Sequence, residues 1–542
     1  MTEFRGWRAS FAHLDGLAFC APNRPSTAPC LGDPAACAAL VQEFRQFDAR
    51  RLYAQASNYD FWKLKFADGD DYWTTFRTRA GVEGNVRGSY AHVDAPLGHV
   101  QSGPPAPLAD YSRAIAGVPV PVIGHEIGQY QVYPNFAEIR KYTGVLRAWN
   151  FEVFRDRLRA RGMLDQAGDF FRASGALAVL NYREEIEAAL RTRGFGGFQL
   201  LDLQDFPGQG TALVGILDAF MDSKGLIEPA AWREFCSATV PLVVMPKYVW
   251  TADETLGAEV KVAHYGPAAL PGAVLVWALT EDNGHAVASG QFAPQDIPAG
   301  DLTNLGRLTA SLAGLSATPR VLSLTVELRG TKFRNHYRLW VYPAKMELPV
   351  AQGQFSLREG PLNDATLQLL ARGGRVLLFP EAGAHSVPGF FASDFWCYPM
   401  FRRGKPPGTL GLLCDPRHPA LAQFPTAAHS DYQWWTILTN SAAVILDDAP
   451  TGLRPIVQVI DNFDTDRNHK LGLVFEARVG QGSLLVCGSD LPTLTGHPEA
   501  RQLLASLLAY ANSDRFKPTT EVSAAWLQQI LEKTPPRNAP PL

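Results

Sequence analysis

Residues 118–134 read VPVPVIGHEIGQYQVYP. A short apolar run through Val118, Val120, Val122 and Ile123 stops at Gly124, and His125-Glu126 follows. Gly128, Gln129, Tyr130, Tyr133 and Pro134 come next, ahead of a long helical pattern. Strands buried on both faces need not alternate apolar and polar residues. A buried strand that ends in one carboxylate and then feeds a helix is how a parallel α/β barrel presents a catalytic acid. The same carboxylate also suits a helix cap or an arginine partner, and the stretch alone leaves both readings of Glu126 open.

The pattern repeats on either side. Residues 1–33 are irregular and rich in proline. Residues 34–50 read as an amphipathic helix, with Leu40, Val41, Phe44 and Phe47 on one side. Strands are predicted at 51–56, ending at Ser57-Asn58, and at 86–93, ending near His92 and Asp94. After the opening stretch, 136–161 reads as one long helix. Residues 173–193 read as another, with Arg183, Glu184 and Glu185 on its polar side. A last strand at 197–203 ends at Gln204-Asp205, and a tight loop follows it. Strand–helix units in series predict a parallel sheet with crossover helices. Four units against the roughly eight of a closed barrel give half of a (β/α)8 TIM barrel over 34–242.

From about 243 to 345 the character changes to short alternating runs. Turns such as Pro271-Gly272 and Asn283-Gly284 separate them, predicting an antiparallel, Ig-like β-sandwich. Residues 350–515 return to α/β units and read as a flavodoxin-like, glutamine-amidotransferase-like domain. Residues 516–542 read as a tail, Pro-rich and loose from Lys533 to Leu542. The fold class is therefore multidomain α/β and β.

Composition narrows the function. The chain has 542 residues, 46% hydrophobic and 19% charged, with net charge −3 and no long basic run. Nucleic-acid binding is not suggested. No apolar run approaches the roughly 20 residues of a membrane span, and no signal-peptide pattern opens the chain. A soluble chain is expected, with its compartment open. Cys20, Cys30, Cys37, Cys236, Cys397, Cys414 and Cys487 are odd in number and form no C-x-x-C pair. They read as free thiols rather than disulfides or a zinc site. His92, His99 and His125 match no metal-ligand spacing. Gly208-Gln209-Gly210 lacks the strand–loop–helix context of a nucleotide site. No metal or cofactor is expected.

Three blocks carry a resemblance: RRLYAQASN (50–58), VPVIGHEIGQYQVYPNFAEIRKYTGVLRAWNFEVFRDRL (120–158) and FGGFQLLDLQDFPGQGTALVGILDAFMDSKG (195–225). Together they resemble the C-terminal half of the catalytic barrel of glycoside hydrolase family 2, the β-galactosidase and β-glucuronidase type. The order that follows, sandwich and then accessory domain, is similar too. The resemblance implies retaining hydrolysis of terminal β-linked sugars. One carboxylate attacks, and a second, about 5–5.5 Å away, protonates the leaving oxygen. Glu126 matches the nucleophile at the end of the seventh strand. The acid/base is the Glu of an Asn-Glu pair in the family, and that pair is absent here. Asp33, before Pro34, reads as a helix N-cap.

The resemblance further implies a truncated and weakened or inactive hydrolase. Its missing N-terminal half would come from another chain or be lost, and a homo-oligomer is the other assembly considered. The alternative is a non-catalytic carbohydrate-binding or assembly protein. Expected sugar contacts are Asn58, His92, His125, Tyr130, Asp202, Gln204 and Asp205, each of which also suits capping or loop bracing. The aromatic run Phe390, Phe391, Phe395, Trp396 and Tyr398, with Tyr432, Trp434 and Trp435, suits core packing or a carbohydrate or subunit contact.

Overall fold

The computed structural model describes residues 11–13, 34–55, 64, 66–90, 96–206, 209–315, 318–350, 353, 355–383, 385–396, 408–463 and 468–531. The architecture is mixed: parallel strands with helices first, then antiparallel sheets, then a second α/β layer.

In the first part, strands Trp73–Thr75, Val122–Gly128 and Gly197–Leu201 form a three-stranded parallel sheet in that order. Leu52–Ala54 pairs separately with Phe11–His13. The expected half barrel is thus replaced, among the described residues, by an open three-stranded sheet. The strand expected at 86–93 does not form over 86–90. Arg77 and Asn85 make only an isolated bridge. The Gly88 N–H goes to the Glu185 carboxylate at 2.5 Å, so it has no place in a ladder.

The helix Pro34–Phe47 agrees with its periodicity. The single helix expected over 136–161 is two elements: a 3-10 helix, Phe136–Lys141, and an α-helix, Trp149–Ala160. The break holds Thr143, Gly144 and Val145, poor helix formers in a row. The Asn135 carboxamide caps the first element through the Ala137 N–H at 3.2 Å. The crossover then runs through Ala167–Arg191. That helix has core on nearly every side, so the expected polar side is wrong. Glu185 is 0% exposed, and Glu184 and Glu187 are buried with it.

Two larger antiparallel sheets follow, with a two-stranded antiparallel pair, Leu270–Ala273 and Gln295–Ile297, besides. One orders Ala286–Gln291, Leu275–Glu281, Arg320–Leu328, Arg334–Tyr342 and Val249–Thr251, the last pair being parallel. The other orders Asp301–Ser311, Thr255–His264 and Thr239–Val244. Alternate residues Leu322, Leu324 and Val326 share a core with Leu256, Val260 and Val262 of the second sheet.

The C-terminal sheet departs from a flavodoxin pattern. Phe355–Glu359, Arg375–Phe379 and Gly482–Cys487 are parallel, but Lys470–Val479 and the strands beyond it pair antiparallel. Lys470–Val479 turns straight back through Gly480, whose φ is +59, and a turn this tight joins only antiparallel strands. Helix Asp364–Ala371 packs with Val376 and Val486 on one face, and Pro498–Asn512 with Leu377 and Leu485 on the other. The tail segment 516–542 carries a helix, Ala524–Leu531, that buries Leu527 and Ile530, while its part read as loose, 533–542, lies outside the described residues. No helix among the described residues is long and apolar enough to cross a membrane.

Candidate active site

Glu126 lies near the C-terminal end of the central parallel strand. The ladder to Gly197–Leu201 pairs Gly124 with Phe198 and Ile127 with Leu200, so His125 and Glu126 together oppose Gln199. This is a β-bulge, which bends a strand and re-aims its side chains. Its cost is visible in the backbone. Glu126 and Gln129 have φ of +52 and +53, a left-handed conformation worth about 1–3 kcal/mol of strain per non-glycine residue. Gly128 has φ +100, and a Cβ there would stand 2.4 Å from the Tyr182 ring, so glycine is required.

The bulge aims Glu126 at a polar neighbourhood. His125 Nε2 lies 3.3 Å from Glu126 Oε1, and His125 Nδ1 lies 2.9 Å from Gln199 Oε1. The imidazole stacks on Phe76 with ring centroids 5.5 Å apart. Burial pushes the Glu126 carboxyl up, but the His125 hydrogen bond and the charges of His125 and Arg87 outweigh it and hold the group below its usual range. Arg87 is buried against the Phe76 and Tyr90 rings.

Beneath the bulge, Glu185 accepts from Gly88 N at 2.5 Å, Gly128 N at 2.8 Å and the Tyr130 hydroxyl at 2.8 Å. Above it, the Gln129 carboxamide donates to the Glu126 carbonyl at 2.8 Å and accepts from the Trp396 indole N–H at 2.5 Å. The segment bearing Trp396 is fastened by a bridge between Phe395 and Tyr130 and by Asn462, which donates to Gln131 and Asp394. The C-terminal sheet region therefore supplies one wall of the site.

The predicted site residues divide. His125 and Glu126 lie side by side. Asp202 follows directly on Leu201, the register partner of Gly128, and burial raises its carboxyl above the usual range. Gln204 is half-buried and bridges to Leu217. Asp205 is turned inward: it is 3% exposed and paired with Lys224 Nζ at 2.6 Å. Tyr130 is likewise buried, its hydroxyl spent on Glu185. Asn58 and His92 lie outside the described residues, as do Ser57, Tyr59, Trp62, Asp94, Cys20, Cys30, Cys397 and Tyr398. Burial pushes the Cys414 and Cys487 thiols up to about 12, far from nucleophilic use. No cluster of His, Cys, Asp or Glu among the described residues could hold a metal ion.

Arg87, Glu185, Gln129 and Gln199 were not foreseen as parts of the site, and Trp396 was foreseen only within an aromatic run open to core packing or a carbohydrate or subunit contact. The adjacent Glu184-Glu185 pair, set among apolar residues of the helix, was the one signal for Glu185, because a buried carboxylate needs donors.

Two family models match the chain, both described as domains of unknown function: DUF8488 over residues 254–343 and DUF8487 over residues 360–532. No curated protein matches it in sequence. Glycoside hydrolases are among the solved structures it resembles. The chain is 17% identical to the exo-chitosanase CsxA of Amycolatopsis orientalis, covering 37% of this chain and 22% of that one, with TM-score 0.22. It is 10% identical to the β-glucuronidase of Parabacteroides merdae, covering 27% and 22%, with TM-score 0.16. Spo0M, a sporulation control protein from Bacillus subtilis, is 14% identical, covering 20% and 51%, with TM-score 0.17. The chain thus spans between about a fifth and about half of these proteins. Likeness this slight carries no weight for what the chain does.

Proposed function

We propose that the chain processes β-linked glycosides as a retaining hydrolase of the β-galactosidase and β-glucuronidase type, with Glu126 as nucleophile and weak turnover. The observation that carries the reading is the bulged strand end. There His125 holds the Glu126 carboxyl below its usual range, while burial raises that of Asp202, the residue after the end of the paired strand. Carboxyl groups whose surroundings drive them apart divide into nucleophile and proton donor.

In this scheme Glu126 attacks the anomeric carbon as the bond to the leaving oxygen breaks, and Asp202 gives that oxygen its proton. Water then adds to the anomeric carbon, returns a proton to Asp202 and releases Glu126. Trp396 offers an indole plate for the sugar's apolar face. Weak turnover is proposed because no Asn-Glu pair stands in this sequence, so the shorter Asp202 would take the place of the resembled family's glutamate. A well-placed proton donor is worth roughly 10²–10⁴-fold.

The test is mass spectrometry after incubation with 2-deoxy-2-fluoro-β-galactosyl and β-glucuronyl dinitrophenyl probes. A glycosyl adduct on Glu126, absent in Glu126→Gln, is expected. Rapid turnover of a natural disaccharide would refute weak turnover. Sugar binding that survives Glu126→Ala, with no adduct from either probe, would establish the non-catalytic carbohydrate-binding reading instead.

A further inference from the structure

One cation of the site plays no part in the scheme above. Arg87 is 4% exposed, and its guanidinium makes one hydrogen bond among the described residues, from Nε to the Ser89 carbonyl at 2.7 Å. Its Cζ stands 5.4 Å from the Phe76 ring centroid and 5.1 Å from that of Tyr90. Nη1 and Nη2 have no hydrogen-bond partner among the described residues. They keep accessible surface, unlike the sealed orphan nitrogens of Arg155 and Arg191. No described carboxylate oxygen lies within 4.0 Å of the guanidinium. A buried guanidinium ordinarily spends its forked N–H donors on an oxyanion or on carbonyls.

The two carboxyls that feel the Arg87 charge do not use those donors. Glu185 is occupied by Gly88 N, Gly128 N and the Tyr130 hydroxyl. Glu126 has His125 as its contact, at 3.3 Å. Phe76 ties Arg87 to that pair, because the guanidinium and the stacked His125 imidazole both lie against its ring. Arg87 is thus near enough to act on the nucleophile through space and too far to pair with it. A sugar hydroxyl takes one N–H at a time, whereas a planar oxyanion takes two in parallel. In a pyranoside only O5 and C5 separate the anomeric carbon from C6. A group on C6 therefore stays close to a carboxylate that attacks the anomeric carbon.

We propose that Arg87 is a specificity-determining residue of this site, and that its fork receives an oxyanion, a carboxylate or a sulfate, carried on C6 of the glycoside. The inference rests on the reading of Glu126 as nucleophile.

The experiment measures labelling of Glu126 in the full chain by three 2-deoxy-2-fluoro-β-glycosyl dinitrophenyl probes: glucuronyl, 6-sulfogalactosyl and galactosyl. One of the acidic probes is expected to label at least tenfold faster than the galactosyl probe, and which one it is names the oxyanion. In Arg87→Met that ratio should fall at least tenfold. Arg87→Lys, which keeps the charge and loses the fork, should lower it too and supplies the answer if Arg87→Met does not fold. The ratio cancels the effect of the Arg87 charge on Glu126 itself, which all three probes share. A galactosyl probe that labels as fast as both acidic ones, or a ratio unchanged in a folded variant, would overturn the proposal. If no probe labels Glu126, the hydrolase reading fails and binding decides the role of Arg87. Ligand-observed NMR then compares methyl β-glucuronide, methyl 6-sulfo-β-galactoside and methyl β-galactoside. An acidic glycoside bound at least tenfold more tightly than the neutral one, with the preference lost in Arg87→Lys, sustains the assignment. Equal binding of the three, or none, overturns it.

Discussion

His125 Nε2 stands 3.3 Å from Glu126 Oε1, one residue along the same strand. Neighbours on a regular strand point to opposite faces. The pair meets only because the bulge and the left-handed Glu126 turn both side chains to one side. A protonated ring donates to both Glu126 and Gln199, and turning the Gln199 amide lets a neutral ring do the same work. Either way the imidazole holds Glu126 ionised. Replacing it with leucine should move the acid limb of Glu126 labelling upward, since the hydrogen bond from His125 holds the carboxyl below its usual range. The pH dependence of inactivation by the fluorosugar probe checks this, and an unshifted limb would remove His125 from the site.

Glu185 fixes the bulge from below. It accepts from two backbone N–H groups, one on each side of the sheet edge, and from Tyr130. Glu185→Leu leaves three buried donors unpaired, at about 1–3 kcal/mol each before relaxation. A loss of about 3–5 kcal/mol is expected. Hydrogen exchange of the peptide covering 122–130 should quicken by at least tenfold. Unchanged protection there would mean that the strand end is held by something else.

The buried pair Asp205–Lys224 separates structural from sugar-binding use of the last strand's carboxylates. Both side chains are nearly inaccessible. Asp205→Ala strands a buried lysine and should cost about 3–5 kcal/mol. The double variant Asp205→Leu with Lys224→Met should recover most of that loss in chemical denaturation. Glu126 labelling should persist in the double variant. Its disappearance from a stably folded protein would return Asp205 to the site.

Much of this was legible because it is local. The strand at 122–128, the helices at 34–47 and 167–191, and the alternating strands around 320–342 follow from residue periodicity and the need to bury apolar surface. The missing features depend on distant partners. Nothing near Glu126 signals a positive φ, because glutamate has no preference for it. Glu185 looked solvent-facing beside Arg183 and Glu184, yet its donors lie at positions 88 and 128. The same capture of Gly88 N removes a strand from the expected half barrel. Trp396 reaches Gln129 across 267 residues. The C-terminal region read as α/β units, but the direction of its strands depends on Gly480, where the chain doubles back.

Glu138 gives the last prediction, on stability against pH. It sits on the 3-10 helix Phe136–Lys141, is 3% exposed, and its Oε2 has no hydrogen-bond partner among the described residues. Burial pushes its carboxyl up to about 7, with Asp205 and Asp218 adding to the rise and Lys224 and Lys141 opposing it. An unfolded glutamate releases its proton near 4.5. Below that pH both states are protonated and the residue costs nothing. Between 4.5 and about 7 the folded chain holds a proton the unfolded chain has lost, so stability falls as pH rises through this window. Above it the full cost is present. Each pH unit of separation is worth about 1.4 kcal/mol, so the cost reaches about 3 kcal/mol. Glu138→Gln should therefore stabilise the protein by up to about 3 kcal/mol at pH 8 and change little at pH 4. Urea denaturation at the two pH values reads the difference directly, and a gain equal at both would show that folding does not raise the Glu138 carboxyl.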